Sequence, residues 1–141
     1  MKILIAADGS DYTKRMLAYI AAHDEWLGSG AHEFTVLTVV PAVPARAAAV
    51  IDRETLKGYY EEEGEKVFKP VRSFFAQQGR EATFVSKVGH AAEVIAHTAS
   101  AGDFDLIIMG SHGHSAIGKL VMGSVTTRVL ADCSVPVLLV R

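Results

Sequence analysis

The sequence predicts an α/β domain: a three-layer, doubly wound, five-stranded parallel sheet with helices on both faces. Three observations carry this prediction. Short apolar or β-branched runs alternate with longer stretches of helical period. Each run is closed by Gly, Pro or Asp-Gly punctuation. The 141 residues hold no repeat and no linker, so a single domain is expected over 1–141. A chain of this kind buries a parallel sheet between two helical layers. Right-handed crossovers, with three strands laid one way and two the other, give the strand order 3-2-1-4-5.

The elements follow in order. Lys2 to Ala7 (KILIAA) is a strand by its length and by the Asp8-Gly9-Ser10 breaker. Ser10 or Asp11 starts a helix to about Leu27, with Met16, Leu17, Ile20 and Leu27 inward, and Gly28-Ser29-Gly30 ends it. Glu33 to Val40 (EFTVLTVV) is a β-branched second strand. Pro41 to Ala49 is a small-residue loop with two prolines, the segment expected to be mobile. A long helix from about Asp52 to Gln78 carries an apolar stripe of Leu56, Tyr60, Gly64, Val67, Val71 and Phe74 or Phe75. Pro70 is expected to kink it. Ala82 to Val88 alternates as a third strand, a helix runs from about Ala91 to Ser100, and Asp105 to Met109 is a fourth strand. A short helix, Ser124 to Ala131, precedes the last strand, Val135 to Val140. Trp26 and Tyr59 are expected to pack on the sheet and Cys133 to be a small buried apolar group, with His23, His32, His90 and His97 solvated.

Composition narrows function by exclusion. The formal charge of -2 comes from 14 basic and 16 acidic residues spread along the chain, without the basic block that nucleic acid requires. Half the residues are hydrophobic, yet no apolar run approaches the ~20 residues of a membrane span. Met1-Lys2 leads directly into ILIAAD, too short and strand-like for a signal-peptide core. The lone Cys133 leaves no internal disulfide and no four-thiolate zinc site. A cytoplasmic domain with no nucleic-acid and no membrane partner is expected.

In the order 3-2-1-4-5 the switch point lies between the first and fourth strands, and ligands bind beyond the carboxyl ends there. Those ends are Ala7-Asp8 and Met109-Gly110, and from Met109 the chain reads MGSHGHSAIGKLVMGS. From Gly113 this is G-x-x-x-x-G-K, but Leu120 stands where a Walker A loop needs a hydroxyl for magnesium, and no Walker B strand follows. Gly113-His114-Ser115-Ala116 begins a nucleophile elbow, but Ile117 takes the place of its last glycine. The first strand ends in DGSDYT, not in a dinucleotide fingerprint. His112 and His114, two apart in a loop with no third ligand, do not specify a metal site.

What remains is Gly110-x2-Gly113, nine residues, then Gly123-Ser124. Physically this is a two-part anion cradle. Gly110 and Gly113 bring backbone amides close to a ligand as the chain leaves the fourth strand. Gly123-Ser124 lies just before a helical stretch, whose first amides attract phosphate. Ser124 either caps that helix or donates its hydroxyl to a phosphate oxygen. Asp8 either shapes an Asx turn or faces the ligand.

In order along the chain, ILIAADGSD, VGHAAEVIAHTA, FDLIIMGSHG and MGSVTTRVLADCSVPVLLVR, with the spacing G-x2-G-x9-G-[ST], resemble the nucleotide-binding branch of the universal stress protein family. The resemblance covers nearly the whole chain. It implies the 3-2-1-4-5 fold, a homodimer, and ATP (or ADP or AMP) as ligand, with Mg or Mn only together with nucleotide phosphates. Position by position, it implies that Asp8 and the backbone near Ala6 contact the nucleoside, and that the main chain of Val39 reaches adenine. Met109 and Gly110 would flank base and ribose, while Gly113, Gly123, Ser124 and Val125 would supply amides or a hydroxyl to the phosphates. His112, inside the glycine stretch, is counted with these nucleotide-binding residues. Two positions depart from the family: Ala116 where Gly is frequent, and His114 where Arg or Lys is common. Without a fixed charge at His114 the triphosphate end loses attraction near neutral pH.

No arginine or carboxylate stands beside the glycines to drive hydrolysis, so no catalytic residue is assigned. The expected function is a nucleotide-dependent regulatory module of the stress response that binds ATP and acts through a protein partner the sequence does not name. A slow ATP hydrolase and a structural dimer without ligand are the alternatives. The last strand, apolar on both faces and at a sheet edge, is the expected homodimer surface.

Overall fold

The computed structural model describes residues 1–28, 30–114 and 122–141. The expectations that fall on Ser29 and on 115–121, among them the Ala116 departure, lie outside the described residues. The elements are β1 (Lys2–Ala6), α1 (Asp11–Ala22), α2 (Asp24–Leu27), β2 (Glu33–Val40), α3 (Ala45–Ala48), α4 (Arg53–Gln77), β3 (Ala82–Val88), α5 (Ala91–Ala101), β4 (Leu106–Gly110), α6 (Ser124–Asp132) and β5 (Val137–Val140). All pairings are parallel and the order is β3-β2-β1-β4-β5, as the alternation of strands and helices predicts.

Side-chain alternation along the strands divides the core between two faces. Ile3 and Ile5 of β1, Val36 and Ile108 pack with Met16 and Ile20 of α1 and with Phe68, Val71 and Phe75 of α4. Leu4, Leu37, Ile107 and Met109 face the other way, against Ile95 and Ala99 of α5 and Val129 of α6. Burial of each such side chain contributes about 1.5–3 kcal/mol. The sheet is therefore enclosed on both faces at its centre, and the cavity opens at the carboxyl ends of β1 and β4.

Several local expectations need correction. The first helix does not run unbroken to Leu27: His23 leaves the helical region (φ -117, ψ 46), with its backbone amide closing the last turn on the Tyr19 carbonyl at 3.1 Å and its Nδ1–H donating to the same carbonyl at 2.9 Å. The segment expected to be a plain loop after β2 holds the one-turn helix α3, which its alanines favour. The Val43 amide donates to the Tyr60 hydroxyl at 2.8 Å and ties that segment to α4. Pro70 lies inside α4 on its exposed side, and the helix continues through it to Gln77, in keeping with an expectation of a kink and not of an end. Phe68 joins the core in addition to the stripe; Val67, which the stripe names, is half-buried, packs against the same core and also lines the cavity described below.

Trp26 and Tyr59 are 40% and 44% exposed instead of packing on the sheet; Leu27 and Tyr60, their neighbours, turn inward. Cys133 is half-buried, not fully buried. β5 is shorter than expected because Pro136 has no N–H to donate; its carbonyl still accepts from Ile107 at 2.8 Å. Among the described residues, no helix is long and apolar enough to cross a membrane.

Candidate functional site

β1 ends at Ala6 and the chain turns sharply into α1. Gly9 adopts a left-handed φ of 79, which favours glycine. Asp8 Oδ1 accepts from the Ser10 amide at 2.9 Å and from the Thr13 hydroxyl at 3.1 Å. Thr13 Oγ1 in turn accepts from the amides of Asp8 and Gly9, each at 3.1 Å. The Asx turn read from Asp8-Gly9-Ser10 is therefore real, and it occupies one carboxylate oxygen. The other, Oδ2, points toward Gly113: a Cβ there would stand 2.5 Å from it.

The second junction, β4 to α6, is held from behind. The Ser111 amide donates to the Val140 carbonyl at 2.9 Å, and the Gly123 amide donates to the Ser111 carbonyl at 2.7 Å. Thr126, 2% exposed, donates its hydroxyl to the Gly110 carbonyl at 3.1 Å. The N-cap of α6 is Gly123, not Ser124, which is the first helical residue and is exposed. Glycine has no side chain with which to cap, so the first amides of α6 are left to solvent or to a ligand.

The glycines here are required for space and not for unusual dihedrals. A Cβ at Gly110 would lie 2.6 Å from Tyr12 Cβ, so α1 could not approach the end of β4. A Cβ at Gly123 would lie 3.3 Å from both His112 Cα and the Ser111 carbonyl oxygen.

Between the junctions lies a cavity of about 470 Å³ at the carboxyl ends of the strands, within the range of small-molecule sites. The structure brings every site residue named from the sequence to its wall. Ala6, Asp8 and Val39 line it from β1 and β2, and Met109, Gly110, His112 and Gly113 from the end of β4. Gly123, Ser124 and Val125 close it at the start of α6. His112 is placed by its neighbours: its Nδ1 is 3.0 Å from the Ser111 hydroxyl and its ring 5.1 Å from that of Tyr12.

Other lining residues were not read from the sequence. Tyr12 and Thr13 come from the first turn of α1, Glu63 and Val67 from α4, and Thr126 from α6. Only Thr13 had a local signal, a hydroxyl one turn after Asp-Gly-Ser. Glu63 pairs with Lys66 at 2.8 Å, and that hydrogen bond holds the Lys66 ammonium above its ordinary range. His114, exposed at the mouth, donates from Nε2 to the Asp8 carbonyl at 2.6 Å and so bridges the two junctions.

A sheet with a crevice at its switch point, rimmed by close-approach glycines and a helix start without a side-chain cap, defines a doubly wound α/β domain, the class in which such crevices take ligands. The chain belongs to the universal stress protein family, whose sequence pattern matches residues 1–141. A universal stress protein of Thermus aquaticus, named for the QAH/OAS sulfhydrylase 3'region, is 35% identical over 139 residues, which cover 99% of this chain and 97% of that protein. The solved structure of MJ0577 from Methanocaldococcus jannaschii superposes with a TM-score of 0.84 at 27% identity, over 99% of this chain and 94% of that one. The Archaeoglobus fulgidus universal stress protein, solved in complex with dAMP, shares the fold at a TM-score of 0.68 and 20% identity, over 100% and 98% of the two chains.

Proposed function

We propose that the cavity binds an adenine nucleotide, ATP or the related ADP and AMP, and that the protein is a nucleotide-dependent regulatory module of the cytoplasmic stress response. The observation that carries this reading is the polarity of the cavity. Ala6, Val39 and Met109 give one part of it an apolar lining, while the glycine backbone and the uncapped start of α6 offer donors at another. An apolar base and an anionic tail fit that division. The family and the dAMP complex of the Archaeoglobus relative support it.

In this reading the base lies near Val39 and Met109, and the spare oxygen of Asp8 accepts from a ribose hydroxyl. The phosphates meet Gly113, Gly123, Ser124 and Val125, and magnesium or manganese arrives with them. Pro41 lines the cavity and leads into α3, so occupancy is read by a protein partner at that segment. β5 pairs with its own copy to form a homodimer; its Val137, Leu138 and Leu139 are only half-buried at the sheet edge.

Mass spectrometry of ligand released from freshly purified protein, followed by titration with ATP, ADP and AMP, tests the reading. Adenine nucleotide in the released fraction, and saturable binding in titration, are expected. Protein that carries no nucleotide and binds none removes it. Turnover of ATP is expected to fall far below the ~1–1000 per second of ordinary enzymes.

A further inference from the structure

We infer that the free edge of β3, with the cleft between it and α4, docks an extended segment of a partner protein that is both apolar and acidic. Docking here does not depend on a nucleotide in the cavity. β3 ends the sheet in the order β3-β2-β1-β4-β5. The Gly89 amide donates to the Val40 carbonyl at 3.0 Å, and Val88 lies opposite Val40 in register. Backbone groups of successive strand residues point to opposite edges, so those of Val88, Ser86 and Phe84 point away from β2. Among the described residues these three amides have no hydrogen-bond partner. Such a row is a template for one more strand.

Beside this row α4 leaves an opening. The helix lies close to β3 where Gly64 meets Ser86, since a Cβ at Gly64 would lie 2.6 Å from the Ser86 hydroxyl oxygen. Phe68 and Phe84 close the next turn, with ring centroids 5.2 Å apart. One turn toward the helix start, a cleft of about 360 Å³ lies between Leu56 and Tyr60 of α4 and Val88 of β3. The Tyr60 hydroxyl accepts from the Val43 amide at 2.8 Å, which holds that wall in place. Val88, a bulky apolar side chain, is 43% exposed on the opposite wall. A strand added along β3 turns every second side chain to the α4 face, and an apolar one there fills the cleft.

Charge selects the occupant. Arg53 and Lys57 line the cleft from the same face of α4 as Leu56 and Tyr60. Glu61 stands 3.9 Å from Lys57 in an exposed pair, a weak contact. Arg53 has no ion-pair partner among the described residues. Lys87 adds a cation beside the edge on the other face of β3, where its ammonium donates to the Thr98 hydroxyl at 3.1 Å. A second copy of β3 would bring ATFVSKV, which holds a lysine and no carboxylate. An acidic strand from a partner complements this rim, and a copy of the same strand does not.

The test is phage display of random peptides on the purified full chain, followed by fluorescence titration with the enriched peptide. Enrichment of alternating apolar residues accompanied by glutamate or aspartate is expected. Val88→Pro removes an outward amide and no bond to β2, so it should abolish binding while circular dichroism shows the fold intact. Arg53→Glu, at a helix start that favours a carboxylate, should weaken binding about tenfold. Lysine in place of the peptide's carboxylates should restore it. Hydrogen exchange of the Ser86 and Val88 amides should slow in the bound state. Where Val88→Pro fails to fold, Arg53→Glu and the exchange rates decide. No enriched peptide, equal titrations for the parent and Arg53→Glu, or unchanged exchange at Ser86 and Val88 would each overturn the inference. A parent dimer that light scattering shows to be lost in Val88→Pro would overturn it in favour of a second copy at this edge.

Discussion

The two strand-to-helix junctions that flank the cavity are braced in opposite ways. At β1–α1 the bracing is by side chains: Thr13 takes two amides and gives its hydroxyl to Asp8, and Asp8 takes the Ser10 amide, while the buried Ser10 hydroxyl is left without a partner among the described residues. At β4–α6 the bracing hydroxyl is that of Thr126, a buried residue of the wall itself, which holds the Gly110 carbonyl, while Gly123 leaves the helix start without a side-chain cap. One junction is knitted by side chains and presents a leftover carboxylate oxygen. The other presents donors. The difference teaches how one crevice acquires a polarity: an acceptor on one wall and uncapped amides on the other orient a ligand that has hydroxyls and an anionic tail.

The strongest way to break this contrast is at Thr13. Thr13→Val keeps the shape, but it removes the acceptor from two amides and the donor from Asp8, at a residue only 5% exposed. A loss of about 2–3 kcal/mol in urea denaturation is expected, with Thr13→Ser close to the parent. An unchanged midpoint would mean the β1 junction is not braced by this hydroxyl. Next in size is Gly123→Val, which crowds the His112 backbone and the Ser111 carbonyl at the uncapped helix. A modest loss of stability with the fold intact is expected, while ATP affinity falls at least tenfold, about 1.4 kcal/mol. Equal ATP titrations for variant and parent would remove the phosphate wall from α6.

How much of this was legible follows the same division. The strand order could be read because periodicity and punctuation are local, and a doubly wound topology then fixes where the switch point falls. The named site residues lie at the ends of β1, β2 and β4 and at the start of α6, and these boundaries are marked by Asp8-Gly9, Gly110 and Gly123-Ser124. Glu63 and Val67 were not legible: they enter the cavity from the middle of a long helix, and helical period does not tell a residue facing the sheet from one facing a crevice. The break at His23 was missed because it lies in the backbone dihedrals of one residue, φ -117 and ψ 46, which apolar patterning does not register. The need for glycine at Gly110 was also hidden, since it comes from Tyr12, remote in sequence.

Two smaller effects sharpen the comparison. Thr126→Val should lower stability by about 1 kcal/mol and weaken ATP severalfold more than it weakens adenosine, because the loosened wall is the phosphate wall; Thr126→Ser should restore both. If ATP and adenosine weakened equally, Thr126 would be a packing residue only. The smallest effect is expected at α4, a helix start that serves as a control. Asp52 caps it, accepting from the Glu54 amide at 2.9 Å and from the Thr55 hydroxyl at 2.6 Å. The Thr55 hydroxyl first, and the Glu54 amide second, hold this carboxyl below its ordinary range. A carboxyl lowered in the folded state contributes stability that is present above its unfolded pKa of about 3.9 and is lost as pH falls through the lower folded value. Asp52→Ala should therefore lower Tm slightly at neutral pH, and the gap to the parent should close in acid. Since Asp52 does not line the cavity, ATP affinity should stay at the parent value. That outcome would separate a cap that serves the fold from an uncapped helix start that serves a ligand, whereas a loss of ATP affinity in Asp52→Ala would mean that the helix starts of this protein do not divide their roles in this way.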